Sequence, residues 1–201
     1  MASKKYAIGC VGVLILAVII VGLSAAGAYN GLVRLDQKVL AQWGQVENVY
    51  QRRADLVPNL VETVKGAAEF EKSTFTAVTE ARAKVGQIQV SADKLTPGAF
   101  AKFQEVQDGL SSALSRLLVV MEKYPDLKAT ENFKGLQSQL EGTENRIAVE
   151  RMRFNEAAQA FNTKRMSFPT VLIAGIFGAR FNEKPYFKSQ PGAETAPKVK
   201  F

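Results

Sequence analysis

The chain begins with a long stretch of apolar residues. Residues 6–33 carry no charged side chain, and the middle of this stretch consists almost entirely of Val, Leu, Ile, Ala and Gly. A helix needs about 20 predominantly apolar residues to cross the hydrocarbon core of a bilayer, and no later stretch of the chain is long enough. The pattern predicts a transmembrane helix over 6–28, preceded by a short N-terminal cap over 1–5.

A cleaved signal peptide is the alternative interpretation of this stretch. Its charged region would be Lys4 and Lys5, and Ala26-Gly27-Ala28 resembles a cleavage site. The apolar part of a signal peptide usually spans about 7–15 residues, and this one is longer, which favours an uncleaved anchor. Gly27 and Gly31 have the G-x-x-x-G spacing that lets two membrane helices approach closely, although this spacing is common by chance.

Beyond residue 28, large apolar residues recur at heptad spacing, which predicts long amphipathic helices. One series follows Thr130 and consists of Phe133, Leu140, Ile147, Phe154, Phe161 and Phe168. Another follows Thr96, a good N-cap, and Pro97, which suits the first helical position. Its members are Phe103, Leu110, Leu117 and Tyr124. Because the link between the two predicted helices is short, they should be antiparallel neighbours.

The predicted fold is all-α: an N-terminal transmembrane helix followed by a long antiparallel bundle of three to four helices over 29–188. An interior proline removes a helical hydrogen bond, so we expect a kink or break at Pro58. The predicted helices cover 29–57, 59–86, 97–124, 131–167 and a short segment over 170–177, with a disordered tail over 189–201. The short segment is apolar but cannot span a bilayer. It either closes the end of the bundle, which we favour, or rests on the membrane surface.

Composition excludes several kinds of chemistry. The chain has no histidine, and its single cysteine, Cys10, lies inside the apolar stretch. This removes Cys–His and Ser–His catalysis and the usual zinc ligand sets, so we predict a protein that is not an enzyme and has no cofactor or metal. The net charge is +7, but basic and acidic residues are interleaved without a basic stripe carrying aromatics. Nucleic acid is therefore not a predicted partner.

A few residues that lie on or beside the apolar positions, most of them polar, are candidates for structural or interaction roles. They are Arg53, Asp55, Pro58 and Asn59 in the first part of the bundle, and Glu144, Asn145, Arg146 and Glu150 in the later part. Because a buried charge needs a partner, we expect Arg53 to pair across helices with Glu150 or Glu144. Asp55 and Glu144 would perform acid–base chemistry only in a defined pocket, of which the sequence gives no sign.

Several long blocks of the chain resemble the LemA family, in the same order and over nearly all residues except the tail. These blocks include Tyr29-Asn30, Trp43-x-Gln45-Val46-Glu47-Asn48, Gln51-Arg52-Arg53-Ala54-Asp55-Leu56-Val57-Pro58-Asn59-Leu60, Thr143-Glu144-Asn145-Arg146-Ile147-Ala148, Phe154-Asn155, Phe161-Asn162, Phe168-Pro169, Phe177-Gly178 and Lys184-Pro185-Tyr186-Phe187. The sequence departs from the family over 67–71, where the family often has an aromatic residue and a His-Glu pair. The resemblance implies a bacterial single-pass membrane protein with a helical bundle and without an established catalytic activity. A family member in magnetosome membranes and others encoded near membrane proteases imply a scaffold or adaptor.

We therefore predict a membrane-anchored, non-catalytic scaffold that self-associates through helix faces. The alternative is an adaptor that binds or presents another membrane protein, such as a protease or secretion component. The predicted partners are the lipid bilayer, further copies of the chain and, in the alternative, that membrane protein. The predicted location is the bacterial inner membrane. Lys4, Lys5 and the α-amine before the span, against Arg34 and Lys38 after it, slightly favour a bundle on the periplasmic side.

Overall fold

The computed structural model describes residues 2–65, 72–88, 90–91, 95–178 and 180–188, with side chains from residue 11 onward. Within these ranges there are six helices and no strand: α1 (Ala2–Lys65), α2 (Lys72–Gln87), α3 (Pro97–Met121), α4 (Pro125–Lys128), α5 (Glu131–Met166) and α6 (Thr170–Ile176). The predicted all-α class is confirmed. The predicted tail over 189–201 lies outside the described residues.

The chain divides into two compact units, and the long helices α1 and α5 each contribute to both. The first unit combines Met1–Ala41 with Glu156–Lys184, and the second combines Gln42–Asn155 with Pro185–Phe201.

In the first unit, the apolar part of α1 is exposed. Its most apolar 18-residue window has a mean hydropathy of 2.6, and only 6% of that window is buried. Burial begins at Ala28, and Leu32 is fully buried. A core helix of a soluble protein would bury such a window, so its exposure fits a membrane helix. Among the described helices, α1 alone is long and apolar enough to cross a membrane.

The core of the second unit consists of aliphatic and aromatic side chains, most of them from α1, α2, α3 and α5. One cluster consists of Val57, Leu60, Val61, Val64, Val78, Leu110, Leu114, Leu117, Met121, Phe133 and Leu140. A second, aromatic cluster consists of Trp43, Phe100, Phe103, Phe154 and Phe187, with ring centroids 4.6–6.3 Å apart. The heptad residues of α3 and α5 are thus buried within the chain. Contacts of Gln42 with Glu150 and of Arg53 with Glu144 show that α1 and α5 are antiparallel here.

The start of α3 follows a local sequence signal, whereas its end differs from the prediction. The Thr96 hydroxyl accepts a hydrogen bond from the Ala99 amide at 3.2 Å, so Thr96 is the N-cap of α3 as predicted. The chain leaves α3 at Met121, three residues before the predicted end, and the following link contains the one-turn helix α4, which the sequence pattern did not predict. Pro125 starts that turn at the first helical position, where its missing N–H is not needed.

The predicted helix boundary at Pro58 is wrong, because α1 continues through this proline to Lys65. Pro58 has no N–H to donate to the carbonyl of Ala54, one turn earlier. That carbonyl instead accepts a hydrogen bond from the Arg82 Nε of α2 at 3.0 Å. A side chain from a neighbouring helix therefore supplies the donor that proline lacks. The second predicted helix, over 59–86, is also corrected: α2 begins at Lys72, and 66–71 lie outside the described residues.

This compensation predicts that Arg82 and Pro58 are energetically coupled. Arg82→Ala should lower the free energy of unfolding by about 1–3 kcal/mol, because the carbonyl of the buried Ala54 loses its donor. In a Pro58→Ala background the alanine N–H can satisfy that carbonyl, so the same change should cost less. A double-mutant cycle by chemical denaturation measures the difference. Equal costs of Arg82→Ala in both backgrounds would contradict the compensation.

Candidate functional site

The most polar part of the second unit's interior is centred on Arg53, which is 1% exposed. Its Nη1 donates to Glu144 Oε1 at 2.9 Å and also to the Ser111 hydroxyl. Its Nη2 donates to the backbone carbonyl of Gln107 at 3.0 Å and to the side-chain oxygen of the same residue. One guanidinium group thus joins α1 to both α3 and α5. Charged hydrogen bonds of this kind fix the register of the helices they connect.

A second arginine extends the network. Arg151 of α5 donates from Nε to the Tyr50 hydroxyl at 2.6 Å and from Nη2 to Asp108 Oδ1 at 2.9 Å. The guanidinium carbons of Arg53 and Arg151 lie 5.0 and 5.7 Å from the centroid of the Tyr50 ring. Both guanidinium groups therefore lie within the distance at which a cation is attracted by the Tyr50 ring.

Burial raises the pKa of the Tyr50 hydroxyl above its ordinary value of 10.0, and contact with Arg151 partly opposes the rise. The folded protein therefore retains this proton more tightly than the unfolded chain does. The stability that this gives is complete below about pH 10 and is lost as the pH rises further, where the unfolded chain releases the proton first.

We therefore expect a loss of stability above about pH 10 that depends on Tyr50. Tyr50→Phe should show a shallower decline in the free energy of unfolding, measured by denaturation at a series of alkaline pH values. Tyr186→Phe is the control, because its side chain is exposed at 37%, and it should retain the wild-type slope. The same slope in Tyr50→Phe would contradict the prediction.

The structure brings only some of the predicted site residues together. Arg53 pairs with Glu144, the second of the two predicted partners. Glu150 instead accepts from Gln42 and, at 2.8 Å, from Arg153. Asp55 is exposed and accepts a hydrogen bond from Gln51 of its own helix at 2.8 Å. It therefore does not form an acid–base pair with Glu144.

The other predicted interaction residues lie on the surface. Pro58, Asn59, Asn145 and Arg146 are all exposed. Thr63 donates to the carbonyl of Asn59 at 2.8 Å, which is a local contact within α1. Asn145, with Glu144 and residues of α3, lines a shallow recess. These four exposed residues are not arranged with one another as a catalytic site.

A larger recess of about 470 Å³ lies between α1, α2 and α3, lined by Glu47, Tyr50, Arg82 and Gln107 among others. Burial raises the pKa of the half-buried Glu47 carboxyl. The Nε of Arg82 already donates a hydrogen bond to the Ala54 carbonyl. Within the described ranges, no group of three acidic, histidine or cysteine side chains lies close enough to hold a metal ion. The recess has polar groups for binding, and its described lining residues include no Ser, Thr, Cys, Lys or His side chain.

Sequence reasoning missed three carboxamide side chains that hold the extended segment 182–188. Asn162 donates to the carbonyl of Lys184 and accepts from its amide, both at 2.9 Å. Asn155 binds the carbonyl and amide of Phe187 at 3.0 and 2.9 Å. Gln104 of α3 donates to the Lys188 carbonyl at 2.9 Å. These side chains form hydrogen bonds with the backbone of the segment, in place of those that a neighbouring strand would form. The one sequence signal was the seven-residue spacing of the Phe-Asn pairs at 154–155 and 161–162.

These features together define an all-α membrane protein with an apolar N-terminal helix and a bundle whose buried arginines are bonded internally. The chain belongs to the LemA family, whose family model matches residues 42–201. It is similar to magnetosome protein MamQ of Magnetospirillum gryphiswaldense, with 28% identity over 184 residues that cover 83% of this chain and 67% of the relative. Magnetosome protein MamQ 1 of Paramagnetospirillum magneticum gives the same identity and coverage. Protein LemA of Metamycoplasma hominis is 26% identical over 148 residues, covering 74% of this chain and 64% of the relative.

Proposed function

We propose that the protein is a non-catalytic scaffold, anchored in the bacterial inner membrane by a single span, that self-associates through helix faces. The observation that carries this proposal is the internal use of the polar groups of the bundle. Arg53 and Arg151 bind side chains of the same unit, and the chain has no histidine. A bundle with these properties is suited to binding and positioning other molecules rather than to catalysis. Several relatives are named for the magnetosome, and none of those names denotes an enzyme.

The heptad residues do not serve as the association face, because they are buried inside the chain. Phe133, Leu140, Ile147, Phe154 and Phe161 are each at most 4% exposed. A free apolar helix surface is instead found in the N-terminal part of α1. A Cβ atom added at Gly27 would meet nothing within 4 Å, whereas one at Gly31 would lie 3.6 Å from the side chain of Lys164. Small residues permit close contact between helices in a membrane, so the Gly27 side of α1 is the proposed contact face. Basic groups are slightly more numerous before the span than after it. Because basic groups favour the cytoplasmic side of a membrane, this difference favours a bundle on the periplasmic side.

The mass of the full-length protein in mild detergent, by light scattering corrected for detergent, tests this proposal. We expect a discrete multiple of 21.9 kDa. Gly27→Leu should shift the distribution towards the monomer, because a bulky side chain prevents close approach. Gly22→Leu is the matched control, since it is equally open and lies about 140° around the helix.

A monomer for the wild-type protein would contradict self-association. A mass that no multiple explains would indicate a bound second protein and favour the adaptor function instead. If Gly22→Leu dissociates the protein and Gly27→Leu does not, self-association stands and the proposed face is wrong.

A further inference from the structure

The first unit has a second exposed apolar surface, in and beside α6, that the proposed function does not use. Six large apolar side chains within twelve residues are exposed there: Met166, Phe168, Val171, Leu172, Ile176 and Phe177. Phe168 is 81% exposed and Ile176 is 75% exposed. Soluble proteins rarely expose so many large apolar side chains together. The residues that α6 turns inwards are small: Thr170 and Ala174 are its two buried residues.

Contacts within the same unit place this surface beside the end of the apolar helix. The Tyr29 ring of α1 lies 5.1 Å from the Phe177 ring and 5.6 Å from the buried Phe181 ring. Leu23 is the last large exposed apolar residue of α1. Tyr29 follows it by six residues, which is roughly 9 Å along a helix. The C-terminal end of α6 therefore lies at the level where α1 changes from exposed to buried.

Several basic side chains lie around this level. Lys164 and Arg165 lie in the last turn of α5. The exposed Arg180 stacks over the Tyr29 ring, 5.7 Å from its centroid. A band of tyrosine and basic side chains next to an apolar surface is typical of the headgroup region of a membrane, where anionic lipids attract Lys and Arg.

From this arrangement we infer that residues 166–177 lie in the interface of the same bilayer that α1 enters. The apolar side chains of α6 and its flanks reach the acyl boundary, and Lys164 and Arg180 contact lipid headgroups. The occupant of the exposed apolar surface is lipid, because the Tyr29–Phe177 contact places that surface beside the end of the exposed apolar part of α1. An amphipathic segment at this depth buries only one side, to about 5–10 Å. The protein would then hold its membrane at two points, the span and the α6 segment.

Fluorescence of single-cysteine variants of the full chain, reconstituted in vesicles of phosphatidylcholine and phosphatidylglycerol, tests this inference. Cys10→Ala gives a cysteine-free background, and Ile176→Cys carries an environment-sensitive dye. We expect its emission to shift to shorter wavelength and to be quenched by lipids brominated near the headgroup. Val119→Cys is the matched control, because Val119 is a similarly exposed apolar residue of the second unit, at 68%. Its dye should emit as in water and resist the quencher.

Two outcomes would overturn the inference. In the first, Ile176→Cys behaves like Val119→Cys, which would mean that the segment faces water. In the second, its emission is shifted but insensitive to brominated lipid and changes with protein density, so that a second copy covers the surface.

A dye at Leu16→Cys, in the exposed apolar part of α1, measured with lipids brominated deep in the acyl chains, separates these results from a failure of the anchor. Quenching at Leu16 without quenching at Ile176 refutes only the second contact. The absence of quenching at Leu16 would refute both the membrane anchor of the proposed function and the inference.

Discussion

Replacing Phe154 with alanine is expected to lower the free energy of unfolding by about 3–5 kcal/mol. Phe154 is completely buried, and its ring lies 5.5–5.7 Å from the rings of Trp43, Phe100 and Phe187. Alanine removes the apolar area that the ring buries and leaves a cavity among side chains that belong to different segments. Because rigid aromatic neighbours fill such a space poorly, we expect a cost near the upper end of that range.

Thermal and chemical unfolding of the full-length protein in detergent measure this loss. Met152→Ala is the control, because Met152 lies on the same helix and is 54% exposed, so it should change stability by no more than about 0.5 kcal/mol. If Phe154→Ala and Met152→Ala unfold at the same temperature and the same denaturant concentration, the aromatic cluster does not stabilise the bundle.

Replacing Arg53 with alanine should also lower the free energy of unfolding by about 2–4 kcal/mol, because it leaves a buried polar group without its donor and opens a cavity. The origin of the loss is specific to this site. Glu144 is 40% exposed and can be solvated after the change, whereas the side chain of Gln107, 3% exposed, is left without its cationic donor. The volume of the arginine is also lost between α1 and α3. Arg53→Met fills part of that volume, so it should be less destabilising than Arg53→Ala.

Arg52 provides the control for this experiment, because it is the adjacent arginine and is exposed. Arg52→Ala carries the same change of charge and should alter the unfolding free energy by about 0.5 kcal/mol or less. Similar denaturation midpoints for Arg52→Ala and Arg53→Ala would refute the structural role of the Arg53 network.

Much of the fold could be predicted because the helical pattern is strong and local. The heptad series of α5 correctly predicts a buried face from Phe133 to Phe161, and Thr96 with Pro97 correctly gives the start of α3. The series fails at Phe168, which is exposed, because α5 ends at Met166 and the next residue of the series no longer lies on the helix. Periodicity predicts burial only as far as the helix continues.

The remaining errors concern partners that are distant in sequence. The continuation of α1 through Pro58 depends on Arg82, and no local signal shows that a donor 28 residues from Ala54 is available. The sequence offered Glu144 and Glu150 as partners for Arg53, and only the register of α5 against α1 decides between them. The binding of 182–188 by carboxamide side chains escaped prediction because that segment has neither helical nor strand periodicity.

That extended segment matters for anyone who expresses this protein in shortened form. The Phe187 ring belongs to the aromatic cluster, 4.6 Å from the Phe100 ring. The Lys188 carbonyl accepts a hydrogen bond from the side chain of Gln104. A truncation placed at the end of the last helix would look harmless on a secondary-structure diagram. It would remove a core ring and expose the amide of Asn155 in one step. The natural C-terminal boundary for a shortened protein therefore lies after residue 188, and affinity tags belong beyond it.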